Sequence, residues 1–306
     1  MYDVIIIGGG PAGLTAGLYT SRARLKSLLI EKGFTGGQVM TTEWIENYPG
    51  FEDGISGAEL SQKMEKQATK FGLEIMQGSV LSVSVDGKSR KVILEDGTEH
   101  EAKSIILATG SNPRPLSIKG EEEFRGRGVS YCATCDGAFF RENELAVIGG
   151  GDSAVEEGIF LTKFAKKVYI VHRRDQLRAT KVVQERAFEN PKIEMVWDSV
   201  PEEVVGDATG VTSLKIKNVK TGEVSELGVQ GVFIYIGYNP NTDAVKDIIT
   251  INESNYAVAD ENMATNSNGI FVAGDVRAKP LKQIATAVGD GAIAAISAEK
   301  YIEENF

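Results

Sequence analysis

The stretch Val4-Ile-Ile-Ile-Gly-Gly-Gly-Pro-Ala-Gly13 decides the fold. Val4 to Ile7 is a compact apolar run bearing β-branched residues, which reads as a fully buried strand. It runs straight into Gly8-Gly-Gly10-Pro-Ala-Gly13, and a helix is expected from about Ala12 to Arg24. Ser27 to Ile30 reads as a second strand, ending at Glu31. Strand, GxGxxG, helix, strand and acid make up the dinucleotide-binding fingerprint. Gly8 allows the tight turn, Gly10 lets a pyrophosphate approach the backbone, and Gly13 lets helix and strand pack closely. The helix N-terminus offers free N–H groups and a positive dipole end to phosphates. Glu31, 18 residues beyond Gly13, is placed to accept hydrogen bonds from a ribose diol.

The arrangement returns 141 positions later. Leu145 to Ile148 is the strand, Gly149-Gly-Gly151-Asp-Ser-Ala154 the turn, and Val168 to Val171 the second strand. Gly8, Gly10 and Gly13 map onto Gly149, Gly151 and Ala154 without a gap, so Glu31 maps onto His172, with Arg173 and Arg174 directly after it. A carboxylate at that place favours a free 2′-hydroxyl, whereas a basic cluster grips a 2′-phosphate with paired N–H groups. Residues 163 to 186 hold eight Lys or Arg and only two acids. The second site is therefore expected to prefer NADP(H) over NAD(H).

The rest of the chain limits the alternatives. Its 306 residues suggest two domains at about 150 residues each. Lys and Arg number 33 against 43 Asp and Glu, a net charge of −10, which argues against a nucleic-acid binder. No uncharged apolar run approaches the roughly 18 residues of a membrane helix. The opening Met1-Tyr-Asp-Val has no basic leader and carries Asp3, so it does not read as an export signal, and the cytoplasm is expected.

Two further segments match one another. Ser104-Ile-Ile-Leu-Ala-Thr-Gly110 is followed by Asn112-Pro113, and Val232-Phe-Ile-Tyr-Ile-Gly237 by Asn239-Pro240. Each Pro forces its predecessor out of helical geometry and stiffens an extended exit from a sheet. The simplest layout is an α/β fold of two Rossmann-like nucleotide-binding domains, one inserted into the other: 1–113 and 244–306 outside, 114–243 inside. Gly269-Ile-Phe-Val-Ala-Gly-Asp275 then returns a strand to the first sheet, ahead of an Ala-rich helix from about Gln283 to Glu304. Asp275 is either a carboxylate offered to a bound cofactor or a cap or turn residue.

The two cysteines form Cys132-Ala-Thr-Cys135, followed by Asp136. Cys-x-x-Cys is the usual dithiol redox spacing. Half of a metal site, or two ordinary buried thiols, are the other readings. Asp136 could return or remove a proton during exchange.

Taken with Gly128-Val-Ser-Tyr-Cys-Ala-Thr-Cys-Asp-Gly137, Gly36-Gly-Gln38, Glu46-Asn-Tyr-Pro-Gly50, His172-Arg-Arg174 and Gly274-Asp275, the chain resembles the bacterial-type low-molecular-weight thioredoxin reductases over nearly its whole length. The resemblance implies FAD in the split outer domain, NADPH in the inserted one, a homodimer, and thioredoxin as the protein substrate. It places FAD near Gly8, Gly10, Ala12, Gly13, Glu31, Gly37, Gln38, Asn47, Val80, Thr109, Gly110, Asp275, Gln283 and Ile284. It places NADPH on Gly151, Asp152, Ser153, His172, Arg173, Arg174 and Arg178. Cys135 would face the flavin, Cys132 would exchange with thioredoxin, and Asp136 would be the acid of that exchange. Many members carry Arg-Gln where this chain has Lys282-Gln283. The competing readings are a peroxide-system reductase, expected to carry an additional dithiol domain, and a ferredoxin reductase, which normally lacks the Cys pair. From a different class, a nucleotide-binding redox sensor without turnover is the alternative.

Overall fold

The computed structural model describes residues 1–42 and 44–306. In chain order, β1 (Tyr2–Ile7), α1 (Pro11–Arg22), β2 (Ser27–Glu31), α2 (Gly57–Thr69), β3 (Glu74–Gln77), β4 (Val80–Asp86), β5 (Ser89–Leu94) and β6 (Glu99–Leu107) come first. A short crossing strand, β7 (Ser111–Pro113), leads to β8 (Val129–Ser130), α3 (Ala133–Asp136), β9 (Glu144–Gly149), α4 (Asp152–Leu161), β10 (Lys167–Val171) and α5 (Lys181–Glu189). Then follow β11 (Ile193–Val196), β12 (Ser199–Asp207), β13 (Gly210–Asn218), β14 (Val224–Leu227) and β15 (Gly231–Tyr235). The return crossing is β16 (Tyr238–Pro240), and β17 (Ile270–Val272) and α6 (Ile284–Asn305) complete the chain. Contacts divide the chain into one unit of Met1–Asn112 with Asn239–Phe306 and another of Pro113–Tyr238.

In the first unit, β3, β2, β1 and β6 form a parallel sheet. The far edge of β6 is shared: its first half pairs antiparallel with β5, and Ile105–Leu107 pair with β17. Alternation sorts the apolar run onto two faces. Val4 and Ile6 face α1 and α6, packing with Leu14, Ala294 and Ala298, whereas Ile5 and Ile7 face the opposite side with Val83, Val92 and Val245. Each fully buried Val, Leu or Ile side chain among them stabilises the fold by about 1.5–3 kcal/mol.

The second unit repeats the scheme with a five-stranded parallel sheet ordered β11-β10-β9-β15-β8. Leu145 and Val147 pack towards α4 and α5, and Ala146 and Ile148 towards an antiparallel layer of β12, β13 and β14.

The second crossing lies at Tyr238/Asn239, five residues ahead of the expected 243/244. Asn241 explains the difference. Its side-chain amide donates to the Thr109 carbonyl at 2.9 Å, and the Thr109 hydroxyl donates to its backbone carbonyl at 2.6 Å. Val245 then enters the core of the first unit, so these residues belong to it.

Candidate active site

Local geometry makes both glycine-rich turns. Gly8 and Gly149 have φ of +105° and +150°, and a Cβ on either would sit 2.4 Å from a backbone carbonyl oxygen, of Ala108 and Tyr235 respectively. Only glycine fits there. Gly13 permits a closer approach still, since a Cβ would fall 1.9 Å from the Gly8 oxygen. Register supports the repeat as well. Ile7 pairs with Ile30 and Ile148 with Val171, so Glu31 and His172 stand at the same place, one residue past those pairs.

Those two residues behave differently. The Glu31 carboxylate accepts the Gly9 N–H at 2.7 Å and the Gly33 N–H at 2.9 Å, which orients it beside the first turn. The His172 ring lies against Gly150, where a Cβ would come within 2.5 Å of it. Burial, and then the positive charge of Arg178, hold the His172 pKa below its ordinary value, so the imidazole stays neutral.

Within the first unit a cavity of about 540 Å³ opens above the first turn. Gly8, Gly10, Ala12, Glu31, Gly37, Gln38, Val80, Thr109, Gly110, Asp275, Gln283 and Ile284 all line it. Of the residues expected there, Gly13 lies beneath the turn as a packing residue. Asn47 reaches the site indirectly: its amide donates to Gln283 Oε1 at 3.1 Å. Gln283 also caps α6 by a reciprocal pair of bonds with Thr286. A Cβ at Gly10 or Gly110 would meet nothing within 4 Å, so both backbones are open to a ligand. The first turn of α1 has no side-chain cap, and its N–H groups remain available to phosphate.

Asp275 does not cap its own turn, the short 3-10 turn Gly274–Val276. Its Oδ1 is buried with the Lys279 ammonium at 3.4 Å and no closer donor, and burial raises its pKa against the opposing pull of Lys279. A carboxylate left short of donors beside a cavity is suited to ligand hydroxyls.

Sequence reasoning missed the residues behind it. Asp290, 6% exposed, accepts from the Gly274 N–H at 3.1 Å, from Lys279 at 2.9 Å and from Arg277 at 3.1 Å. The available signal was Gly289-Asp290-Gly291, an acid between glycines in an Ala-rich helix. A Cβ on Gly291 would lie 2.2 Å from the Ala12 oxygen, so that glycine lets α6 close on α1.

In the second unit, Arg173, Arg174 and Arg178 line a cavity of about 400 Å³ together with Asp175, Asp198 and Lys220. Lys220 and Asp198 were not foreseen; the two pair at 2.9 Å. Gly151 precedes α4, which has no side-chain cap, and a Cβ on it would meet nothing within 4 Å. Asp152 and Ser153 form the first turn of α4, and Asp152 accepts the Thr180 N–H at 2.7 Å.

Cys132 and Cys135 are joined by a disulfide, with Cα atoms 5.3 Å apart. Cys132 is the N-cap of α3, and its sulfur accepts the Cys135 N–H at 3.2 Å. Asp136 closes the same turn, its N–H donating to the Cys132 carbonyl at 3.2 Å. Cys135 is exposed and Cys132 half-buried. Among the described residues, no group of three or more His, Cys, Asp or Glu is placed to hold a metal ion.

A Cys-x-x-Cys disulfide in the same unit as a glycine-rich strand–turn–helix points to the class, and the chain belongs to the pyridine nucleotide-disulphide oxidoreductase family, which it matches over residues 2–291. Within that family it stands with the thioredoxin reductases. It is 53% identical to the thioredoxin reductase of Listeria innocua over 304 residues, 99% of this chain and 95% of that one. It is 51% identical to that of Bacillus subtilis, over 99% of this chain and 96% of the relative. The crystal structure of Lactococcus lactis thioredoxin reductase superposes with a TM-score of 0.97 at 53% identity, covering 99% of this chain and all of the other.

Proposed function

We propose that this chain is a thioredoxin-disulfide reductase that carries electrons from NADPH, with FAD as its bound cofactor, to Cys132 and Cys135 and on to the disulfide of thioredoxin. The observation that carries the reading is a Cys-x-x-Cys disulfide in the same unit as a glycine-rich turn and an arginine-lined cavity, in a chain whose other unit holds a cavity lined by a second glycine-rich turn.

The first cavity fits FAD. Gly10 and the free N–H groups of α1 would receive the pyrophosphate, Glu31 the adenosine ribose, and Asp275 hydroxyls of the ribityl chain. Gly37, Gln38, Val80, Thr109 and Gly110 form the rest of the wall. In the second unit, Gly151, Asp152 and Ser153 would hold the pyrophosphate of NADPH, and Arg173, Arg174 and Arg178 its 2′-phosphate beside a neutral His172. A bound flavin would supply the two-electron centre that a nicotinamide can reduce and a disulfide can oxidise.

The protein's own chemistry is thiol–disulfide exchange. Cys132, held at the head of the turn with an N–H aimed at its sulfur, is the better thiolate. It attacks one sulfur of the thioredoxin disulfide, and the other thioredoxin sulfur leaves and is protonated, with Asp136 as the acid. Cys135 then displaces thioredoxin from Cys132, which reforms the Cys132–Cys135 bond and releases the second thiol. The reaction runs in the cytoplasm in a homodimer; the family resemblance supports both points, and light scattering at twice the mass of one chain checks the second.

The test is NADPH oxidation by the purified, flavin-loaded protein with oxidised thioredoxin. C132S or C135S should abolish thioredoxin reduction while bleaching of the flavin by NADPH persists. Thioredoxin reduction that survives either change overturns the assignment.

A further inference from the structure

The backbone N–H groups of Cys132, Asp136, Cys135 and Ala133 each donate a hydrogen bond in the redox turn. The Cys132 N–H donates to Ser130 Oγ at 3.0 Å, and the Asp136 N–H donates to the Cys132 carbonyl at 3.2 Å. The Cys135 N–H donates to Cys132 Sγ at 3.2 Å. All three are local. The fourth is not: the Ala133 N–H donates to the Tyr235 hydroxyl oxygen at 2.8 Å, across 102 residues of sequence.

Tyr235 is well placed for this. It is the last residue of β15, and its backbone pairs with Gly149. Its carbonyl oxygen is the one that would lie 2.4 Å from a Cβ on Gly149. One residue thus abuts the glycine-rich turn through its backbone and holds the cysteine turn through its side chain. Burial keeps the phenol protonated far above neutral pH, so the contact does not change with ionisation. Ala133 is fully buried, and in the closed turn its N–H has this oxygen as its partner.

We propose that Tyr235 is a positioning residue for the Cys132–Cys135 pair, its hydroxyl holding the turn closed and so setting the balance between disulfide and dithiol. The inference rests on the reading of the two cysteines as a cycling redox pair. Closure of the disulfide depends on the effective concentration of one sulfur at the other, which a tethered turn raises. Without the hydroxyl, the buried Ala133 N–H has no acceptor while the turn is closed. The dithiol turn, free of the S–S bond, can shift to let that N–H reach water. Loss of the hydroxyl therefore favours the dithiol.

The experiment uses the full-length, flavin-loaded protein equilibrated in mixtures of dithiothreitol and its cyclic disulfide, with alkylation to count free thiols. In that exchange the protein disulfide breaks as the reagent's ring disulfide forms, and both reagent protons pass to Cys132 and Cys135. Y235F keeps the ring and should move the equilibrium about five-fold towards dithiol, the worth of one neutral hydrogen bond. At 29.6 mV per tenfold for a two-electron couple, that is about 20 mV less negative. Iodoacetamide should also alkylate the reduced pair of Y235F with an altered pH profile. Y235L, which lacks the ring, should shift the equilibrium at least as far. An equilibrium within two-fold of wild type in both variants, even with a lowered melting temperature, refutes the positioning role. A wild-type pair that no dithiothreitol mixture reduces refutes the redox reading, and this inference with it.

Discussion

Replacing Asp290 with Ala tests whether the charges behind the first cavity hold the fold together. Asp290 is 6% exposed, and the side chains of Lys279 and Arg277 are 4% and 17% exposed. Removing one partner of a buried ion pair costs about 3–5 kcal/mol, because the remaining charge is left uncompensated. Here Lys279 keeps Asp275 at 3.4 Å and Thr286 Oγ1 at 3.3 Å. Arg277, however, loses both of its contacts with Asp290, at 3.1 and 3.4 Å, and the Gly274 N–H loses its acceptor. The partial compensation of Lys279 puts the loss at the lower end, about 3 kcal/mol. The two tryptophans make the measurement specific, since Trp44 lies in the first unit and Trp197 in the second. In a W197F background, Trp44 emission follows unfolding of the first unit in urea. With a slope of about 2 kcal/mol per molar, the midpoint should fall by about 1.5 M. D290N, which keeps a carbonyl acceptor, should lose about half as much. A shift under about 0.5 M for D290A at unchanged slope would refute the reasoning.

Three further outcomes are expected. R173A/R174A should weaken binding of 2′,5′-ADP by at least tenfold and leave 5′-AMP nearly unchanged, as titration calorimetry reads directly; equal effects on both ligands would remove the 2′-phosphate assignment. E31Q should release FAD about 10- to 100-fold more readily, because a charged acceptor of two backbone N–H groups is lost beside the ribose, and reconstitution of the apoprotein followed by flavin fluorescence gives the constant. His172 supplies a pH dependence. Its folded pKa lies below its unfolded value near 6.5, so as pH falls from 6.5 towards the folded pKa the unfolded chain takes up a proton that the folded chain does not. The second unit should lose stability across that window, and H172Q should flatten the loss when Trp197 emission is followed in a W44F background.

The parts legible in the sequence are those with a local cause. The Val4–Ile7 run and the spacing of Gly8, Gly10 and Gly13 encode a strand, a tight turn and a close helix approach within ten residues. The second copy encodes the same from Leu145 to Ala154. Glu31 and His172 share one position in the two copies because parallel pairing preserves register. What the sequence hid depends on residues that meet only after folding. Arg277 and Lys279 look like surface charges beside Asp275 until α6 brings Asp290 to them. Asn241 belongs with the first unit because it finds its partner, Thr109, 132 positions away. Lys220 arrives at the arginine cavity from the turn between β13 and β14. No periodicity could announce such meetings.

The two crossing strands have an evolutionary consequence. The Arg114 N–H donates to the Gly237 carbonyl and the Asn241 N–H to that of Gly110, so the outgoing and returning chains run antiparallel and side by side. Residues 113 and 238 are thus neighbours, and so are 112 and 239. A gene segment bounded at those points encodes a piece with adjacent ends, and its removal leaves ends that a short turn can rejoin. Such a junction lets recombination move the cysteine-bearing half as a cassette, with no strand of either parallel sheet needing to be cut.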